Sequence, residues 1–464
     1  MIRSLLVIIL FLFGLQSYAQ HSQNWYFPES VGIRFSAGEV NSLSGGKIST
    51  SVPANVQIRP TEGGACISDS KGNLLFYTDG LTIWNRNHTP MKGGQNLKGG
   101  PSATQPASIV PDPGNPSRFY IFTVDDFQHI LKNGLCYSVV DMCLDNGLGD
   151  VTDKKNVPLL DIAGEKQAIT KHKNDTDYWL VVHKHYTQSF YAYKISTAGI
   201  SKPVISSIGS YHGGGLFDGA ATAIGQIKIA PDGKRIGLVN SNMDVGNDKA
   251  LLEVFNFDNE TGVISNYVNL TSMIYPIFFG FYGGYGFTFS PNSQNIYVST
   301  RVGILQFHLY GETWSYVNKI NPMELNPTGG MQLAPNGKIY IAKGEAFLAS
   351  ISNPNDLLPN IGFKLNDVFL DDGIATWSLP GFYDGFRYTQ EDPLCAPDNT
   401  VPRESDDCGF MLYPNPSNGN LTLKLNNSLY KNIRFYNAIG QIVLEYSSPG
   451  RSVISLDIKD LSEA

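Results

Sequence analysis

The chain has 464 residues, a formal net charge of −7 and only 16% charged residues. No run of Lys or Arg occurs, which argues against nucleic acid and anionic membrane surfaces as partners. With 47 Gly, 24 Tyr and 25 Phe, and almost no helix-favouring stretch, the composition predicts an all-β protein rich in turns.

The first residues read as a secretory signal peptide over 1–19. Arg3 supplies a positive charge, Leu5 to Leu15 is an apolar run interrupted by Gly14, and Ser17-Tyr-Ala19 is a small-x-small cleavage site. The run is too short to span a bilayer, and no other segment approaches the roughly 18 apolar residues of a transmembrane helix. No cysteine follows the cleavage site, so a lipid anchor is not expected.

From residue 65 onward one pattern recurs six times: an alternating strand, a Pro/Asp/Asn/Gly turn, and a second apolar strand. Ile227-Lys-Ile-Ala-Pro-Asp-Gly-Lys-Arg-Ile, Phe287-Thr-Phe-Ser-Pro-Asn-Ser and Met331-Gln-Leu-Ala-Pro-Asn-Gly-Lys are its clearest copies. Aligning Ile67, Ile109, Ile169, Ile229, Phe289 and Leu333 places them 42 to 60 residues apart. A period of that size, with two strands visible and room for two more, predicts the blades of a β-propeller. A seventh blade is expected from both chain ends. Ala375-Thr-Trp-Ser and Phe386-Arg-Tyr388 supply its inner strands, and Trp25-Tyr-Phe27 and Ile33-Arg-Phe35 its outer ones. Six blades with a loose N-terminus is the alternative.

Several segments carry a family resemblance. Among them are Asn24-Trp-Tyr-Phe, Lys71-Gly-Asn-Leu-Leu-Phe-Tyr-Thr-Asp-Gly80, Trp84-Asn-Arg-Asn, Tyr137-Ser-Val-Val-Asp-Met and Ser378-Leu-Pro-Gly-Phe. Together these motifs resemble the N-terminal propeller of secreted gliding-motility-associated, WD-like proteins, over residues 24–390. The resemblance implies a cell-surface or released propeller with no settled enzymatic activity.

A short linker, 391–409, is rich in Asp, Pro and Ser and holds Cys395 and Cys408. Two cysteines so placed in an exported chain are expected to form a disulfide, since no His or Cys cluster surrounds them. Cys66, Cys136 and Cys143 fall within predicted strands and read as buried free thiols.

The last segment, 410–464, contains Tyr413-Pro-Asn-Pro-Ser-Asn-Gly, the alternating Leu421, Leu423 and Leu425, and Tyr436-Asn-Ala-Ile-Gly-Gln. It resembles the C-terminal sorting domain of type IX secretion cargo, a small β-sandwich. The resemblance implies handling by the type IX secretion machinery and a final location outside the cell or on its surface. The chain stops at Asp460-Leu-Ser-Glu-Ala464, without the Gly-x-Tyr and basic strands expected of such a domain. The domain therefore reads as incomplete, and export as impaired.

Catalytic signatures are scarce. The sequence has no Gly-x-Ser-x-Gly elbow, phosphate-binding Gly-Lys-Ser/Thr loop or His-Glu-x-x-His helix. His183 and His185 share a strand face but lack an evident third ligand, so no metal and no cofactor are expected. The loops entering the inner strands gather at one channel mouth. There they bring Glu62, Gln105, Glu165, His212, Asp218, Tyr282 and Tyr285, residues suited to a glycan or a surface protein. The sequence thus favours a monomeric surface binding or adhesion module over an enzyme. A glycan-active hydrolase or lyase and a ligand-free envelope scaffold are the alternatives.

Overall fold

The computed structural model describes residues 20–27, 31–36, 39–44, 62–213, 220–241, 252–274, 284–300, 303–320, 329–370, 374–382, 410–413, 420–425, 432–436, 442–447 and 453–457. The chain divides into two compact units, Met1–Cys395 and Ala396–Ala464. The expected signal peptide, the expected Phe386–Tyr388 strand and the expected Cys395–Cys408 bridge lie outside the described residues.

The first unit is a β-propeller. Six antiparallel sheets follow one another along the chain, called here blades 1 to 6. Their inner strands are Ala65–Ser68, Ala107–Pro111, Ala163–Lys171, Ile227–Ile229, Gly284–Phe289 and Met331–Leu333. All six aligned residues lie on these strands; Ile109, Ile169, Ile229, Phe289 and Leu333 face the preceding blade, whereas Ile67 faces the following one. Ile67 pairs with Phe76, Ile109 with Ile121, Ile169 with Leu180, Ile229 with Ile236, Phe289 with Ile296 and Leu333 with Ile339. Blades 4, 5 and 6 have four strands; blades 2 and 3 have five, and blade 1 has three.

The turn after each inner strand explains the recurring Pro-Asp/Asn-Gly signal. Asp232 Oδ1 accepts the Lys234 amide, and Asn336 Oδ1 accepts the Lys338 amide. Asp69 Oδ1 does the same for Lys71 and Asn73. Gly72, Gly233 and Gly337 sit in these turns with φ of 76°, 70° and 78°, where a side chain is disfavoured.

Period-two alternation sends successive residues to different neighbours. On blade 2, Phe119 and Ile121 pack with Ile67 and Phe76 of blade 1, while Tyr120 and Phe122 pack with Ile169 and Leu180 of blade 3. Similar clusters join blades 3 and 4, 4 and 5, and 5 and 6. Each blade is thus buried on both faces, as a ring of radially packed sheets requires.

The seam between blades 6 and 1 is filled from the N-terminus. Strands Asn24–Phe27, Val31–Ser36 and Glu39–Ser44 form a three-stranded sheet. Its Trp25, Ile33 and Phe35 share one core with Tyr77 and Trp84 of blade 1 and Tyr340 and Leu348 of blade 6. The 374–382 segment lies in the same core without forming a regular strand, and Phe382 stacks on Trp25 at 5.7 Å. The N-terminus is therefore packed into the seam.

One cysteine departs from expectation. Cys66 and Cys136 are buried free thiols, but Cys143 is disulfide-bonded. It lies just after the strand Leu135–Asp141 rather than within one, and is half-buried rather than buried.

In the second unit, Phe410–Tyr413, Asn420–Leu425 and Val453–Asp457 form one sheet, and Asn432–Tyr436 pairs with Ile442–Ser447. Leu423 and Ile454 are cross-strand partners and both are buried.

Two measurements check this account. Trp25→Ala should lower stability by about 3–5 kcal/mol in urea unfolding, as expected for a fully buried aromatic. Asp79, just past the end of a blade 1 strand, is buried and its pKa is pushed up from 3.8 to about 6 by desolvation. The unfolded chain then loses this proton near pH 4 while the folded chain keeps it to about pH 6, so stability falls as pH rises through that window. Asp79→Asn retains an acceptor for the Leu81 and Thr82 amides. It should flatten that decline and raise stability above pH 6 by about 1–3 kcal/mol.

Candidate functional site

The mouth that the inner strands enter is held together by hydrogen bonds between consecutive blades. Glu62 N donates to Pro101 O, Gln105 N to Glu165 O, and Gln226 N to Tyr285 O, at 2.9 to 3.0 Å. Gly330 N donates to Trp377 O at 2.5 Å, and Ser378 N to Glu62 O at 2.9 Å, which completes the circuit at the seam.

Side chains fill the space inside this circuit. Gln105 Nε2 donates to Gln167 O and Ile227 O, and its Oε1 accepts Ile227 N at 2.8 Å. Gln226 Oε1 accepts the amides of Phe287 and Met331 at 3.0 and 2.9 Å. Lys228 Nζ donates to Gln332 Oε1. A void of about 10 Å³ remains beside Gln105, Gln167, Lys228 and Phe382, space for little more than one water.

Glu62, Gln105, Glu165 and Tyr285, four of the residues singled out from sequence, converge here, each tied into the hydrogen bonds of the ring. Glu62, Gln105 and Glu165 are all buried. Glu62 Oε1 accepts Ser102 Oγ at 3.0 Å, and its Oε2 accepts the Tyr285 hydroxyl at 2.7 Å, so blade 5 is tied to the entrance of blade 1. Glu165 accepts the Phe127 and Thr104 amides at 2.6 and 3.3 Å. Desolvation, followed by the charges of Glu62 and Asp126, raises its pKa well above the usual carboxylate range. Burial and the Glu62 charge likewise keep Tyr285 protonated as a donor. Asp218 and Tyr282 lie outside the described residues.

His212 belongs to a second buried cluster, on blades 3 and 4. Its Nε2 donates to Glu253 Oε2 at 2.6 Å, and its ring stacks on His183 at 3.8 Å. Burial holds His183 and His212 neutral and brings His185 down to about 4. Lys166, fully buried alongside, is pushed down to about 7 and donates to Ile224 O, Val239 O and Asn240 Oδ1. Sequence reasoning missed Lys166 and Glu253, because a charged residue inside an apolar strand gives no sign of its partner. His183 and His185, read as a face of one strand, are both buried.

Asp125, Asp126 and His129 bring one potential metal-ligand atom each within 4.8 Å of one another. The two carboxylates already accept the backbone amides of Asp126, Asn133, Ser102 and His129, which accounts for their burial.

With the fold in place, comparison with known proteins addresses the two units separately. Residues 411–463 match the secretion system C-terminal sorting domain. No curated protein matches the chain. Among solved structures, a Bacteroides uniformis protein assigned provisionally as a 6-phosphogluconolactonase is 14% identical, over 85% of this chain and 96% of that one, with a TM-score of 0.42. Apo AztD from Citrobacter koseri is 12% identical, over 77% and 88%, with a TM-score of 0.37. Neither likeness bears on activity. The sorting segment marks the chain as cargo of the type IX machinery, destined for the cell surface or the exterior. Among the described residues no helix is long and apolar enough to cross a membrane.

Tyr285→Phe tests the structural role of the mouth. Loss of one bond to the buried Glu62 carboxylate should lower stability by about 1–3 kcal/mol in chemical denaturation, with the fold retained by circular dichroism.

Proposed function

We propose that this protein is an exported surface binding module of the WD-like propeller type, anchored or released through its sorting segment. The observation that supports this reading most is the pairing of a sorting domain at 411–463 with a propeller whose centre is locked by hydrogen bonds. A rigid ring presents its turns in fixed positions, which lowers the ordering cost of recognition.

The hydrolase reading needs two carboxylates flanking a substrate cleft. At the mouth the carboxylates of Glu62 and Glu165 are engaged by Ser102, Tyr285, Phe127 and Thr104, which does not favour it. The filled channel favours a ligand-free envelope scaffold as the second reading.

Expression of the tagged chain in a bacterium with type IX machinery tests the export half. Protease-accessible protein on intact cells or in the medium would support the export reading and overturn the expectation of impaired export, and deletion of 411–463 should then leave the protein in the periplasm. Equal export with and without the segment would refute the assignment. Purified protein that binds neither glycans nor surface proteins would favour the scaffold.

A further inference from the structure

The opposite face of the ring, where the inner strands end, carries a cavity of about 520 Å³. It lies between the turns of three successive blades: Thr170–Lys173 and Asp175 of blade 3, Pro231–Gly233 of blade 4 and Pro291–Ser293 of blade 5, with Asn259 of blade 4. Its size falls within the roughly 300–1,000 Å³ of small-molecule sites.

The walls are fixed by bonds from turn to turn. Asp232 N donates to Ser293 Oγ at 3.0 Å, and Lys173 N donates to Asn259 O at 3.1 Å. His172 accepts the Asn174 amide at Nδ1 and donates from Nε2 to Glu260 O, both at 3.0 Å, so its tautomer is set. Its ring stacks on Trp179, whose Nε1 donates to Asn259 O. These contacts hold the walls in place without a ligand.

The chemistry of the walls narrows the occupant. Apart from Pro231, Gly233 and Pro291, every lining residue has a polar side chain. Lys171 and Lys173 are matched in number by Asp175 and Asp232. Just outside the lining Glu260 pairs with Lys173 at 2.7 Å and Arg235 with Asp232 at 3.2 Å, so the formal charge of the groove and its rim is zero. Zero net charge disfavours phosphorylated and strongly acidic ligands, and the lack of an apolar anchor disfavours a hydrophobic peptide. Carboxylate, amide and ammonium groups set side by side offer the alternating acceptors and donors that vicinal hydroxyls require. We propose that this groove binds a neutral oligosaccharide.

This inference rests on the reading of the chain as a binding module, and the export experiment tests that reading separately. The full chain is applied to an array of neutral, uronic-acid-containing and sialylated oligosaccharides, and retained sugars are titrated by calorimetry. Retention of neutral oligosaccharides is expected. Asn292→Trp, which fills the groove, should weaken binding at least ten-fold, and Lys173→Ala several-fold. Thr176→Trp, on the same turn but outside the cavity lining, should bind as the parent does. Melting temperatures confirm that each variant is folded. Retention of no sugar, preference for the acidic ones, or binding that survives both groove variants in folded protein overturns the proposal.

Discussion

Everything in the propeller depends on closing a sheet-on-sheet ring whose first and last blades are far apart in sequence. A blade buried on both faces is stable only with neighbours on both sides, so an open ring would leave blades 1 and 6 each with a bare apolar face. The core around Trp25 removes that cost at the seam, where Tyr77, Trp84, Tyr340 and Leu348 would otherwise meet water. The Ser378 to Glu62 and Gly330 to Trp377 bonds carry the closure through to the channel.

The same closure explains the polar centre. Inner strands converge too closely for water to solvate their entrances, so their backbone groups need partners from other blades. Glutamines serve well, because one amide both donates and accepts: Gln105 engages blades 3 and 4, and Gln226 joins blades 5 and 6. Glu62 and Glu165 do this with carboxylates at a greater desolvation cost, seen in the raised pKa of Glu165. A group of buried polar residues at a channel mouth can therefore resemble an active site while acting as a joint.

The legible part of the sequence was the part written in local chemistry. Apolar alternation and Pro-Asp-Gly turns depend on neighbouring residues, so they exposed the inner strands and put Ile109, Ile229 and Leu333 on the same face of theirs. The alignment is one residue out at Ile67, where Cys66 takes that face. The sorting segment was legible for the same reason, as a contiguous motif. The roles of Tyr285, Lys166 and Glu253 were not legible, because each depends on a partner tens to hundreds of residues away. Cys143 was misread through the assumption that it stays within the strand it follows.

The seam has a kinetic meaning as well. Trp25 meets Phe382 across almost the whole length of the propeller, a contact of very high sequence separation. Such contacts form late, after the loop-closure entropy of the intervening chain has been overcome. The N-terminal sheet can pack early on Tyr77 and Trp84 of blade 1, but its contacts with blade 6 and the 374–382 segment come last. For a protein that crosses an envelope, this interval is when unpaired strands are most exposed to other chains, and its length is set by the ring rather than by any one blade.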